Sequence, residues 1–137
     1  MLDDLGLGPA LEWQVRDFSR RTAVPATVQL DGNLEGLPEK VRTCVYRVAQ
    51  ESLTNCARHA RPQSVRVTVY GGPQALSMTV QDDGVGFDPA GPSSQGLGLI
   101  GIEERVKELN GEVTILSQQG KGTTIRVELP VRRETET

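Results

Sequence analysis

Three groups of residues in this 137-residue chain carry types and spacings suited to holding a small anion and a metal ion. Glu51, Asn55 and Arg58 share one stripe if they lie on a helix, because successive helical residues turn by about 100°. Carboxylate and carboxamide oxygens suit a hard divalent cation, and a guanidinium suits phosphate. The same three residues also fit a solvated helix face with a chance ion pairing. His59 falls near the centre of the apolar face of that helix, where a core-edge histidine is the plainer reading, and no second histidine exists to complete a metal site.

The second group is Gln81-Asp82-Asp83-Gly84-Val85-Gly86-Phe87, at the end of a run in which Leu76, Met78 and Val80 alternate toward a core. Period-2 alternation aims Asp82 inward as well. A buried carboxylate without a partner costs several kcal/mol, so Asp82 either finds a donor in the protein or offers itself to a ligand such as an exocyclic amine. A turn acid capping Gly84 is the alternative. Gly84 and Gly86 read either as turn residues or as bare backbone past which a ligand slides. Thr123 shares a face with Ile125 and Val127, so its hydroxyl is expected on the same buried side.

The last group, Gly96-Leu97-Gly98-Leu99-Ile100-Gly101, has the pattern G-x-G-x-x-G. A dinucleotide fingerprint requires a strand directly before it and an acid about 20 residues on, and this chain has neither. What remains is glycine backbone at a helix N-terminus, which presents free N–H groups to phosphate, or else a flexible loop before a helix.

The elements that position these groups follow from periodicity. Leu11, Val15 and Phe18 recur at helical spacing after Pro9, with Arg20 and Arg21 at the end. Pro38 opens a longer helix reaching Ala60, with Val41, Val45, Val48 and Ser52 on its buried stripe, and Leu99, Ile102, Val106 and Leu109 mark a third, with a Glu103–Lys107 pair and a stop at Asn110-Gly111. Strands are expected at 24–30, 65–69, 76–80, 113–117 and 123–129, four of them in two hairpins turning at Gly71-Gly72-Pro73 and Gly120-Lys121-Gly122. The segment 84–96 is Gly-, Pro- and Ser-rich and reads as loop. Hairpins therefore outnumber crossovers, which predicts an α+β fold: a two-layer α/β sandwich with a mostly antiparallel mixed sheet and helices on one face.

Composition narrows the function classes. The formal net charge is −3, with 15 basic residues dispersed among 18 acidic ones, which disfavours nucleic acid and polybasic membrane contacts. No apolar run approaches the ~20 residues of a membrane span. Cys44 and Cys56, twelve residues apart on one expected helix, are too distant to pair and read as small buried hydrophobes of a reducing compartment.

Taken in order, Glu51-x-x-x-Asn55, Asp82-x-Gly84-x-Gly86-Phe87, Gly96-x-Gly98-x-x-Gly101 and Gly122-Thr123 resemble the N, G1/F and G2 boxes and closing Gly-Thr of the GHKL superfamily, which includes gyrase, the heat-shock chaperone, histidine kinases and MutL. The wording from Tyr46 to Asn55, with Arg58-His59-Ala60 and Gly98 to Arg105, is similar to the NarL- and DesK-type sensor histidine kinases, and Leu2-Asp3-Asp4-Leu5-Gly6-Leu7 to the segment that follows their dimerisation helices. The resemblance implies the Bergerat α/β sandwich over residues 9–130, a linker over 1–8 and a charged tail over 131–137. It implies ATP and Mg²⁺ as cofactors: Asn55 on the metal, Glu51 as the catalytic residue that polarises or orients the metal-phosphate end, Arg58 and His59 toward the nucleotide, Asp82 on the adenine amine with Thr123 assisting, Gly84 and Gly86 beside the nucleotide, and Gly96, Gly98, Leu99 and Gly101 in the lid over the phosphates. The implied acceptor is a histidine on a separate dimerisation domain, not His59, so the chain alone is expected to bind ATP without productive autophosphorylation. The implied partners are that domain and a NarL-type response regulator, in the cytoplasm, with membrane contact only through other segments. A GHKL-type ATPase and a serine kinase like the anti-sigma factors are the alternatives.

Overall fold

The computed structural model describes residues 6–86 and 99–132, with backbone alone for His59 and Ala60. The first helix, α1 (Leu7–Thr22), starts two residues ahead of Pro9. The first N–H groups of a helix lack intrahelical acceptors, so proline fits in the opening turn. Leu7 is then buried with Leu11, Val15 and Phe18. Ala23 ends α1 in the left-handed region at φ 62°, and Ser19 Oγ donates to the Val24 carbonyl at 2.7 Å, steering the chain into β1 (Ala26–Gly32).

The second helix, α2 (Glu39–Asn55), buries Val41, Cys44, Val45, Val48, Ala49, Ser52 and Leu53. It does not continue to Ala60 in α form. Cys56–Ala60 wind as a π-helical turn, which closes at Arg61 in the left-handed region at φ 47°. Such a turn widens the helix by one residue per turn, so the 100° increment ceases at Cys56.

The chain then forms the hairpin β2 (Val65–Gly71) and β3 (Ala75–Asp82), helix α3 (Leu99–Glu108), and the hairpin β4 (Glu112–Gln118) and β5 (Gly122–Pro130). The sheet order is β1-β2-β3-β5-β4. Only β1–β2 is parallel, and α2 supplies the long crossover that a parallel join demands. This is the expected mixed, mostly antiparallel sheet.

Alternation sorts the two faces. Val65, Val67, Val69, Leu76, Met78, Val80, Ile125, Val127 and Leu129 face the helices, where they join Phe18, Val48, Ile102 and Val106 in one core. The opposite face is open and carries the exposed Arg66, Tyr70, Arg126 and Leu116. At α3 the buried positions are Leu99, Ile102 and Val106, as periodicity predicts. The expected Glu103–Lys107 pair is not among the ion pairs of the described residues; Arg105 makes the salt bridge of this helix instead.

One row across the sheet matters for the site. Register sets Val65 beside Asp82, Asp82 beside Thr123, and Thr123 beside Ser117. The end of β3 thus brings an acid between an aliphatic and two hydroxyl residues, all on the helix-covered face.

Candidate functional site

Asp82 is buried, as alternation predicts, and each of its oxygens meets a donor of the protein. Oδ1 accepts the Gly84 N–H at 2.8 Å, the turn-capping role, while Oδ2 faces the Cys56 thiol at 3.6 Å. Burial pushes its carboxyl above the ordinary range, against the opposing effects of the Gly84 N–H, the Cys56 thiol and the Thr123 backbone. The adjacent Asp83 behaves oppositely. It is exposed, accepts the Gln63 and Ser64 N–H groups at 2.8 and 2.9 Å and the Ser64 hydroxyl at 3.0 Å, and these donors, led by the Ser64 N–H, hold it below the usual range. Two neighbouring acids are therefore separated in character by environment alone: one inward and hard to ionise, one outward and anchoring the loop after the π turn.

On the helical side, Glu51 and Asn55 are one turn apart on α2 and both half-buried. Glu51 Oε1 receives Arg105 Nε at 3.4 Å, a long contact across to α3. Its Oε2 is buried with no hydrogen-bond partner among the described residues. A Cβ placed on Gly101 would lie 3.3 Å from that oxygen. The glycine motif and the acid motif, fifty residues apart in sequence, thus meet where α3 crosses α2. Arg58 stands exposed on the π turn, where the change in winding alters the stripe it was expected to share with Glu51 and Asn55. The backbone of His59 lies on the same turn. Gly96 and Gly98 lie outside the described residues, and Leu99 opens α3 as a core residue.

The glycines at the strand end are explained by protein backbone. Gly86 has φ +65°, and a Cβ there would come within 2.1 Å of the Gln118 carbonyl oxygen. Gly122 has φ +89°, with the Asp82 carbonyl oxygen 2.2 Å from a built Cβ. Gly120 N–H donates to the Val85 carbonyl at 2.6 Å, so the turn after Asp82 is fastened by main chain to the β4–β5 hairpin. Gly84 contributes the N–H that Asp82 caps. Thr123 is half-buried, and its hydroxyl lies 2.8 Å from that of Ser117, which also donates to the Gly122 carbonyl at 3.2 Å.

Cys56 and Ser117 are the two residues of this cluster that sequence reasoning missed. Alternation along β4 with Ile115 would have found Ser117. Cys56 touches Asp82 from within the π turn, which hydropathy does not signal. Burial pushes both thiols up, Cys44 to about 11 and Cys56 further still, with the Asp82 carboxylate adding to the effect at Cys56. Both cysteines are free and buried.

This architecture belongs to a known class. The chain is a member of the histidine kinase-, DNA gyrase B- and HSP90-like ATPase family, whose pattern matches residues 40–133. Among curated proteins it is similar to the signal transduction histidine-protein kinase/phosphatase DegS of Brevibacillus brevis, 34% identical over 133 residues, covering 97% of this chain and 34% of that protein. It is also similar to the oxygen sensor histidine kinase NreB of Staphylococcus carnosus, 34% identical over 131 residues, covering 95% of this chain and 38% of that protein. The chain thus spans about a third of the length of these relatives. Among solved structures, the blue-light activated histidine kinase EL346 of Erythrobacter litoralis superposes with a TM-score of 0.69 at 22% identity, covering 91% of this chain and 42% of that one. The mycobacterial sensor histidine kinase MprB gives 0.66 at 21%, covering 92% of this chain and 95% of that one. These superpositions show the shared α+β sandwich.

Proposed function

We propose that this chain is the ATP-binding catalytic part of a two-component sensor kinase, donating the γ-phosphoryl group of Mg-ATP to a histidine on a dimerisation domain. The observation that carries the proposal is the buried Asp82, set at a strand end beside the helix that bears Glu51 and Asn55, in a chain similar to sensor kinases over nearly its whole length. A carboxylate so placed accepts from an exocyclic amine, which distinguishes adenine from a base with a carbonyl at that position. Thr123 supports the same end through its hydroxyl. Relatives of the DegS and NreB type further support a NarL-type response regulator as the downstream partner, and a cytoplasmic setting.

The residues present fit a magnesium ion. Among the described residues no three His, Cys, Asp or Glu side chains cluster as a cage. Mg²⁺ needs none, since it is commonly held by one or two protein oxygens with phosphates and water completing its octahedron. Asn55 offers such an oxygen, and the unpartnered Oε2 of Glu51 lies one turn away. The ion would neutralise phosphate charge; Glu51 would orient the metal-phosphate end, Arg58 would reach phosphate from the π turn, and the N–H groups opening α3 would face anionic oxygen. Phosphoryl transfer asks little more of a protein than in-line positioning and charge neutralisation.

The test is transfer of label from γ-labelled ATP to an added dimerisation fragment. Acid-labile label on the fragment's histidine is the expected result, with none accumulating stoichiometrically on these 137 residues alone. Phosphate release without transfer would favour the ATPase reading, and acid-stable label on a serine of a partner would favour a serine kinase.

A further inference from the structure

We propose that Cys56 is a specificity-determining positioning residue for the base of the nucleotide, a role that rests on the assignment of Asp82 to the adenine amine. A carboxylate rotates about its last bond unless both oxygens are held. At Asp82 the Gly84 N–H holds Oδ1 at 2.8 Å and the Cys56 thiol meets Oδ2 at 3.6 Å. Cys56 is 3% exposed, so its thiol meets the carboxylate away from solvent.

Its place in the chain sets this contact beside the proposed metal end of the site. Cys56 follows Asn55 directly and opens the π turn, so the donor that orients the base-reading acid is one residue from the side chain proposed to hold the metal. The sheet row Val65, Asp82, Thr123, Ser117 closes the opposite side. The carboxylate is thereby fixed from the helix and from the strand, with the plane of its oxygens set before a nucleotide arrives. A preset acceptor favours an amine and opposes a carbonyl oxygen, because neither oxygen can swing away from the repulsion.

The test compares binding of ATP and inosine triphosphate, which carries a carbonyl where adenine carries its amine, by calorimetry on wild type, Cys56→Ser, Cys56→Ala and Cys56→Val. Serine keeps a donor and loses volume; valine keeps volume and loses the donor. We expect the ATP preference to survive within about twofold in Cys56→Ser and to fall about three- to tenfold in Cys56→Ala and Cys56→Val, the scale of one modest hydrogen bond. Retention of the preference in Cys56→Val, or equal weakening of both nucleotides in every variant, would overturn the proposal and leave Cys56 as packing. Wild type without any preference would overturn the Asp82 assignment itself. Melting curves of the four proteins identify any variant too unstable to compare, and the remaining substitutions still decide the outcome.

Discussion

Asp82→Asn separates the contribution of this residue to folding from its contribution to binding, and the two should move in opposite directions. The substitution keeps the shape and can keep the acceptor at the Gly84 N–H, while an amide nitrogen replaces Oδ2. In the free protein the charge is a burden: the folded carboxyl sits above its unfolded value. Stability linked to its protonation is therefore fully present below about pH 3.9 and is lost as pH rises through the higher folded value. At neutral pH asparagine removes that burden, so the melting temperature should equal or exceed that of wild type. Binding should respond the other way. A hydrogen bond to a charged group contributes about 1.5–3 kcal/mol, and each 1.4 kcal/mol is tenfold, so ATP should bind on the order of 10- to 150-fold more weakly. The amide would also point a donor at the adenine amine. Calorimetric titration of Mg-ATP alongside thermal unfolding reads both quantities. Affinity within about threefold of wild type would refute the reasoning, as would weaker binding accompanied by a melting temperature several degrees lower.

Other consequences are equally direct. Asn55→Asp should chiefly alter the magnesium dependence of ATP binding, read by titrations at varied Mg²⁺. Gly86→Ala should cost about 2 kcal/mol or more in denaturant unfolding, because a left-handed backbone and a backbone oxygen 2.1 Å from the new Cβ both oppose it. Gly101→Ala lies in a helix, where alanine is favoured by roughly 0.8–1 kcal/mol, and the contact it meets is the movable end of Glu51; stability should hold or rise while phosphotransfer falls as Glu51 is displaced. Asp83→Ala should lower stability at neutral pH. Since its donors depress the folded carboxyl, their stabilisation is present above about pH 4 and is lost as pH falls through the lower folded value, so the variant's unfolding curve should be flatter over that acid range.

The order of elements, the mixed sheet and the inward aim of Asp82 were legible in the sequence because each rests on a local period: 3.6 along α1, α2 and α3, and 2 along the hairpins. What was not legible depends on contacts between segments. The π turn at Cys56 has no hydropathic mark, since widening a helix by one residue leaves the apolar pattern looking continuous to Ala60. It redirects Arg58 and brings Cys56 onto Asp82. Sequence leaves Gly86 open between a turn residue and clearance for a ligand, and only the Gln118 carbonyl packed against it shows why a glycine is needed there. The pairing of Glu51 with Arg105 and Gly101 likewise depends on how α3 crosses α2, which composition does not encode. Within the 137 residues, the chemistry was carried by residue type and order, and its fine geometry by tertiary packing.

The main-chain fastening of the turn at 82–86 to the β4–β5 hairpin bears on how the molecule tolerates change. Gly86 against Gln118, Gly122 against Asp82, and Gly120 to Val85 join two loops through atoms that every residue possesses, so the side chains at Gln119 and Lys121 are released from any part in the join. Those two positions should accept wide substitution with the turn after Asp82 undisturbed, while Gly86 and Gly122, each with a backbone oxygen where a Cβ would stand, should accept almost none.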